Sequence, residues 1–449
     1  MGAAARAAES TLTAPPPPGW SALTEPLDSI LAKLSSAQLI DRLLDETNGE
    51  PNQASPVSLT GFLPLHAPEN PFSGEPLPRK SPVMTEVVRR GVEVIPFLLE
   101  HLSDARPTHV ILDPKKLHLN GNSGAYTADY DFRSHENWPQ FAGVNLKSNQ
   151  SGTKGDWPYT VKVGDLCFVA LGQIVNRRLY VSGPDFGNGM MFSGAFSLSI
   201  NSPVETPALA AAARADWSGI TPAQLAEALK HDALTLADPN AKRIDGVWHP
   251  PLDPLGSLTR LLVYFPRMGS EVMETLLRRP LVHWALPATA LPRDQPQTTS
   301  ADLTGVIARL EAFQWDGLDA SVFALYRRAV DEENKVIAAR PPSGRLASTG
   351  YDLPLACAKR LLHKGHDDEF RIFFAAAVEL ARAEYSAVLE KMKDDIVKEP
   401  SPFGSTPNPA LAEADRHRRE FQIQSMSAML LAPIAVRAEF LKTLGSTPR

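Results

Sequence analysis

Apolar residues recur at helical spacing along most of this chain, and residues 84–102, MTEVVRRGVEVIPFLLEHL, show the pattern most clearly. Val87, Val88, Val94, Ile95, Leu98, Leu99 and Leu102 form the stripe of a core-facing helix. A single straight helix is excluded, because Pro96 would lose its bond to the Val92 carbonyl and clash with it. The pattern therefore predicts a break at Gly91 and a restart near Glu93, with Pro96 in a first turn where a missing N–H costs little. The same reasoning predicts helices over 26–46, 163–178, 221–232, 301–314, 319–339, 353–364, 367–397 and 409–443, and a second hairpin over 255–279. Ser35 with Gln38, and Thr221-Pro222 with Gln224, read as capping boxes. Val110-Ile111-Leu112 and Tyr159-Thr160-Val161 read as short strands.

The sequence of helix, glycine, short gap, proline and then Leu98, Leu102 and Asp104 resembles the helix pairs of HEAT-type α-solenoid repeats. Ala170, Leu171, Gly172 and Ile174, within 163–177, resemble the first helix of a following repeat. Gly91–Leu99 aligns without a gap on Gly269–Leu277, and Cys357–Gly365 followed by Phe370, Phe373 and Phe374 is a looser copy. The resemblance implies a mainly α fold of irregular HEAT-like hairpins over 26–285, a helical C-terminal region over 300–445, and an extended surface for partners. The glycines are unevenly spaced, so no fixed repeat period is expected.

Residues 1–25, with their Pro15–Pro18 run, read as disordered. Residues 103–160 interrupt the helices with a polar, aromatic-rich loop insert. There Tyr130, His135 and Trp138 lie beside Asp129, Asp131 and Glu136, a mixture suited to a peptide or a cationic group, and these three residues are the candidate binding site. The competing reading packs the same rings into a small core of the insert's own.

Composition narrows the function. The 449 residues carry a net charge of −6, which argues against a dedicated nucleic-acid binder. The 2 cysteines, Cys167 and Cys357, sit in apolar helical runs, so buried free thiols and a cytoplasmic setting are expected rather than a disulfide framework. No run is long and apolar enough to span a bilayer. The 40 prolines suit short helices separated by loops.

Catalytic motifs are sparse. The Asp185-Phe186-Gly187 triplet lacks every other kinase element. His363, His366 and Asp367 in HKGHDDE resemble part of an HD-type phosphohydrolase site, but the same acids suit a helix N-terminus. The Arg-Arg pairs at 89, 177, 278, 327 and 418 read as cations at helix ends or as a basic ledge. The expectation is a non-catalytic protein-interaction scaffold binding a protein or peptide, with no catalytic or metal residues and no cofactor. A metal-dependent hydrolase using the 363–369 cluster is the alternative.

Overall fold

A computed structural model describes residues 28–47, 81–112, 159–177, 182–184, 198–200, 202–234, 254–282, 298–313, 315, 317–339, 352–398 and 409–445. The fold is mainly α. The chain separates into two compact units, residues 1–273 with 313–315, and residues 274–312 with 316–449. The expected disordered N-terminus and most of the 103–160 insert lie outside the described residues.

The first unit opens with α1 (Ser36–Arg42), which carries the expected capping box: Gln38 N–H donates to Ser35 Oγ, and Ser35 N–H donates to Gln38 Oε1. The predicted 26–46 helix is shorter than expected. Leu34 is extended, so the preceding stripe forms only a 3-10 turn, Leu31–Lys33. The next pair is α2 (Pro82–Arg89) and α3 (Ile95–Glu100), joined by a 3-10 turn over Gly91–Val94. Gly91 holds φ +60°, and Pro96 sits in the first turn of α3.

The chain then enters β1 (Pro107–Leu112), which pairs antiparallel with β2 (Tyr159–Lys162), Leu112 opposite Tyr159. This ladder makes the insert leave and return at one place. Next comes α4 (Val163–Val175), in which every residue is buried. A helix buried on every side belongs at a centre, and α4 packs against both α2 and α3. The unit is therefore built around α4 rather than around the 84–102 hairpin. Gly164 makes this possible, because a Cβ there would lie 2.6 Å from the Leu102 carbonyl oxygen. Beyond α4 come β3 (Ser182–Pro184), paired antiparallel with β4 (Leu198–Ile200), then α5 (Pro207–Trp217) and α6 (Pro222–Leu234).

Residues 255–279 form two helices, α7 (Pro254–Tyr264) and α8 (Pro266–Arg278), but the corner is at Phe265 and not at Gly269. Pro266 cannot continue the preceding ladder and starts the new helix instead. Gly269 lies inside α8, where a Cβ would come within 2.9 Å of the Leu262 backbone. The gapless alignment of 91–99 with 269–277 thus equates a corner with a helix interior.

In the second unit, β5 (Leu281–Val282) pairs parallel with β6 (Thr298–Thr299), followed by α9 (Ser300–Ala312), α10 (Asp319–Ala339), α11 (Leu353–Arg360), α12 (Asp367–Lys398) and α13 (Pro409–Gly445). Helix α11 stops at Arg360 rather than 364, because the turn that follows places His363 at φ +62° and Gly365 at φ +93°. Helices α12 and α13 run antiparallel. Arg371 NH2 donates to the Leu444 carbonyl at one end, Tyr385 and Ser427 share a 2.7 Å hydrogen bond midway, and Arg419 NH1 donates to the Ile396 carbonyl at the other end. Phe374 meets Phe440 edge-on between them, and Tyr326 of α10 meets Phe370 of α12 in the same way. Arg437 is buried and forms a bidentate pair with Glu333 of α10 while also bonding Asp352, which caps α11. Burial alone would lower the Arg437 pKa, but the two carboxylates outweigh it and raise it.

Two glycines at positive φ among the described residues of the first unit give a matched pair for test. Gly219 (φ +74°) faces open space, whereas a Cβ on Gly91 would lie 2.9 Å from the Tyr264 ring. In denaturant melts Gly219→Ala should lose about 1–2 kcal/mol from backbone strain. Gly91→Ala should lose about 1–3 kcal/mol more from overpacking. Equal losses at the two sites would contradict this packing of α7 on the α2–α3 corner.

Candidate binding cleft

Pro96 and Leu99 of α3 face Trp217 and Ile220, at and beyond the end of α5, across an open cleft of about 340 Å3. Both walls follow from local sequence. Pro96 sits in the first turn of α3 and is exposed, while Leu98 is fully buried and Leu99 is nearly so at the cleft wall. Helix α5 begins at Pro207 and ends at Trp217, and the chain then turns through Gly219 so that Ile220 faces back. The helix buries Leu209, Ala213 and Trp217 along one stripe.

Arg214 fixes the two walls together. Its Nε donates to the Leu99 carbonyl at 2.9 Å, at the C-terminal end of α3, and its NH2 donates to Ser103 Oγ at 3.1 Å. Trp217, at the cleft floor, is only 3% exposed, with the Arg177 guanidinium 5.9 Å from its ring centroid. Arg177 is itself buried and pairs with Asp232 at 2.8 Å. Glu100 stands exposed on the rim and makes no ion pair among the described residues. The cleft thus offers an apolar floor, a rigid edge and one carboxylate.

Two buried polar clusters elsewhere in this unit serve the fold. At the start of α4, Asp165 accepts hydrogen bonds from Tyr159 Oη, from Ser202 Oγ and from the Lys162 N–H. Burial raises the Asp165 pKa, against the lowering effect of those donors. Ser202 Oγ also accepts from the Val204 and Glu205 N–H groups, so its lone pairs hold a turn. At the end of α4, Asn176 sits at φ +56° and donates to Ser257 Oγ, while fully buried Arg260 donates to the Gln173 carbonyl.

Tyr130, His135 and Trp138 lie outside the described residues. His363, His366 and Asp367 are described, and they have structural partners. Asp367 accepts from the His363 N–H at 3.0 Å and lies 3.1 Å from His363 Nδ1, while the His366 ring stacks on Phe323. Among the described residues no group of three or more His, Cys, Asp or Glu side chains could hold a metal ion. Arg178 lies outside the described residues, and most of the described arginines of these pairs are bound into the fold. Arg89 and Arg90 bond Glu86, Arg278 bonds Glu274, Arg327 bonds Glu369, and Arg418 and Arg419 bond Asp415.

The sequence pattern missed α5, and with it Arg214 and Trp217. The available signal was Thr206-Pro207 as a helix start, followed by Leu209, Ala213 and Trp217 four apart. Its alanine-rich interior hid that stripe. No family model, curated protein or solved structure matches the chain, so the functional reading rests on its own residues. Among the described residues no helix is long and apolar enough to cross a membrane.

Cys167 of α4 and Cys357 of α11 are both free and buried, one in each unit, and burial pushes both thiols far above their ordinary range. Each should therefore react with a thiol reagent only when its own unit opens. Labelling followed by mass spectrometry should show both sites protected in native buffer and exposed at the denaturant concentration that unfolds their unit. Rapid labelling of either thiol in the native protein would contradict this burial.

Proposed function

We propose that this chain is a non-catalytic scaffold that docks a protein or peptide segment in the cleft between α3 and α5. The observation that carries the reading is the pairing of an apolar floor, formed by Pro96, Leu99, Trp217 and Ile220, with one carboxylate, Glu100, that forms no ion pair among the described residues, the Arg214 guanidinium in the same cleft being bonded to Leu99 and Ser103. A floor of this kind suits an aliphatic or aromatic anchor, and Glu100 suits a lysine or arginine beside it. The Arg214 bonds keep both walls in place without a ligand, which lowers the ordering cost of binding.

The aromatic and acidic composition around Tyr130, His135 and Trp138 supports a second part of the recognition surface. The α2–α3 hairpin supports a divergent HEAT-like reading of the first unit. Free buried thiols fit a reducing, cytoplasmic setting.

A random peptide library panned on the full-length protein tests this. Enriched sequences should combine an apolar anchor with a basic residue. Glu100→Arg and Ile220→Asp should each weaken their binding at least about tenfold, a loss of about 1.4 kcal/mol. No enrichment, or peptides indifferent to both substitutions, would overturn the proposal.

A further inference from the structure

Helix α13 carries a long exposed face without charge. From Phe421 to Val436 its sequence, FQIQSMSAMLLAPIAV, contains no ionisable side chain. Three large apolar residues of that stretch stand in solvent: Phe421 is 70% exposed, Leu431 44% and Val436 45%. The helix turns its other side to α12, through Ser427, Ile434 and Phe440. Ala428, Ala432 and Ala435 share the exposed face. His417, Phe421, Gln424, Ala428, Leu431 and Ala435 follow the alternating four-and-three spacing of a coiled-coil seam, and Lys442 lies seven residues beyond Ala435.

We propose that this face pairs with the same face of a second copy of the chain, the two α13 helices crossing antiparallel on a two-fold axis at Ala428. The self-complementarity is one of volume and of charge. An axis through Ala428 sets Ala428 against itself, so the backbones approach closely where the side chains are smallest. It sets Phe421 of each copy over Ala435 of the other, and Leu431 over Ser425, so these two large groups meet small ones, while Val436, at the edge of the face, lies against the aliphatic stem of Glu420. Beyond the apolar stretch, Glu439 meets His417 of the second copy, and Lys442 falls beside Glu413.

These terminal groups already form exposed local pairs within one chain. Glu439 bonds Lys442 at 2.7 Å, and Glu413 lies 3.4 Å from Arg416 and 3.8 Å from His417. Dimerisation joins them into a mixed-sign cluster at each end with no like charges opposed, the arrangement that fixes register and orientation in helix pairs. A parallel pairing would instead set Phe421 against Phe421, Glu413 against Glu413 and Lys442 against Lys442. The antiparallel arrangement is isologous and closes at two copies.

Sedimentation equilibrium of the full-length chain across a concentration series, with site-directed disulfide capture, tests this. The wild type should be dimeric. Ala428→Glu, which opposes two carboxylates on the axis, should raise the dimer dissociation constant at least tenfold. Because residue 428 is exposed, its denaturant midpoint at concentrations where both proteins are monomeric should match wild type. Ala428→Cys should form an intermolecular disulfide under mild oxidation, while Phe421→Cys should not, and the buried native thiols add little background. A monomer at every concentration would overturn the proposal. So would a dimer indifferent to Ala428→Glu, or equal cross-linking at 421 and 428, the signature of parallel pairing.

Discussion

Every helix ends in backbone carbonyls with no partner inside the helix, and a buried carbonyl left unpaired costs about 1–3 kcal/mol. This protein is built from many short helices, several opened by proline, so it has many such ends to satisfy. It does so repeatedly with arginine from another helix. In the first unit Arg90 reaches the carbonyls of Leu31, Ala32 and Leu34, Arg214 that of Leu99, and Arg260 that of Gln173. In the second, Arg328 spans the carbonyls of Leu277, Arg278 and Arg279, Arg371 reaches Leu444, and Arg419 reaches Ile396. The planar guanidinium, with several donors in a fixed fork, fits this task better than an ammonium. Each bond also ties two elements together, so helix ends and tertiary packing are fixed by the same side chains. The proposed cleft depends on one of them, Arg214.

Local chemistry was well marked in the sequence. Gly91 and Pro96 placed the α2–α3 corner, Ser35 with Gln38 placed the start of α1, and Thr221-Pro222 placed α6. Long helices with polar flanks, α10 and α12, were legible almost to the residue. What failed was anything decided by a distant partner. Leu27 to Leu34 had the right stripe, but Leu34 is extended and the chain restarts at Ser35. Gly269 matched Gly91 in its neighbours, yet one glycine turns a corner and the other admits a close helix contact with Leu262. Helix α5 was invisible because alanine gives little periodic contrast.

The arginines show the same division. Their position near helix ends suggested cations at negative helix poles, which fits the physics. Several serve the end of a different helix, however, and no spacing rule in the sequence says which. The cleft was illegible for a related reason, since its walls come from segments more than a hundred residues apart, as the Arg214–Leu99 bond shows. The aromatic signal in the sequence pointed to Tyr130, His135 and Trp138, which lie outside the described residues.

The most direct test of arginine as the common fastener is Arg328→Lys, set beside Arg328→Met, in denaturant melts that follow the second unit. Lysine keeps the charge and most of the length but cannot span three carbonyls. If the fork geometry matters, Arg328→Lys should lose about 1–3 kcal/mol, most of the loss seen with methionine. A lysine variant within about 0.5 kcal/mol of wild type, with methionine strongly destabilised, would mean that charge alone holds this helix end, and the account would fail.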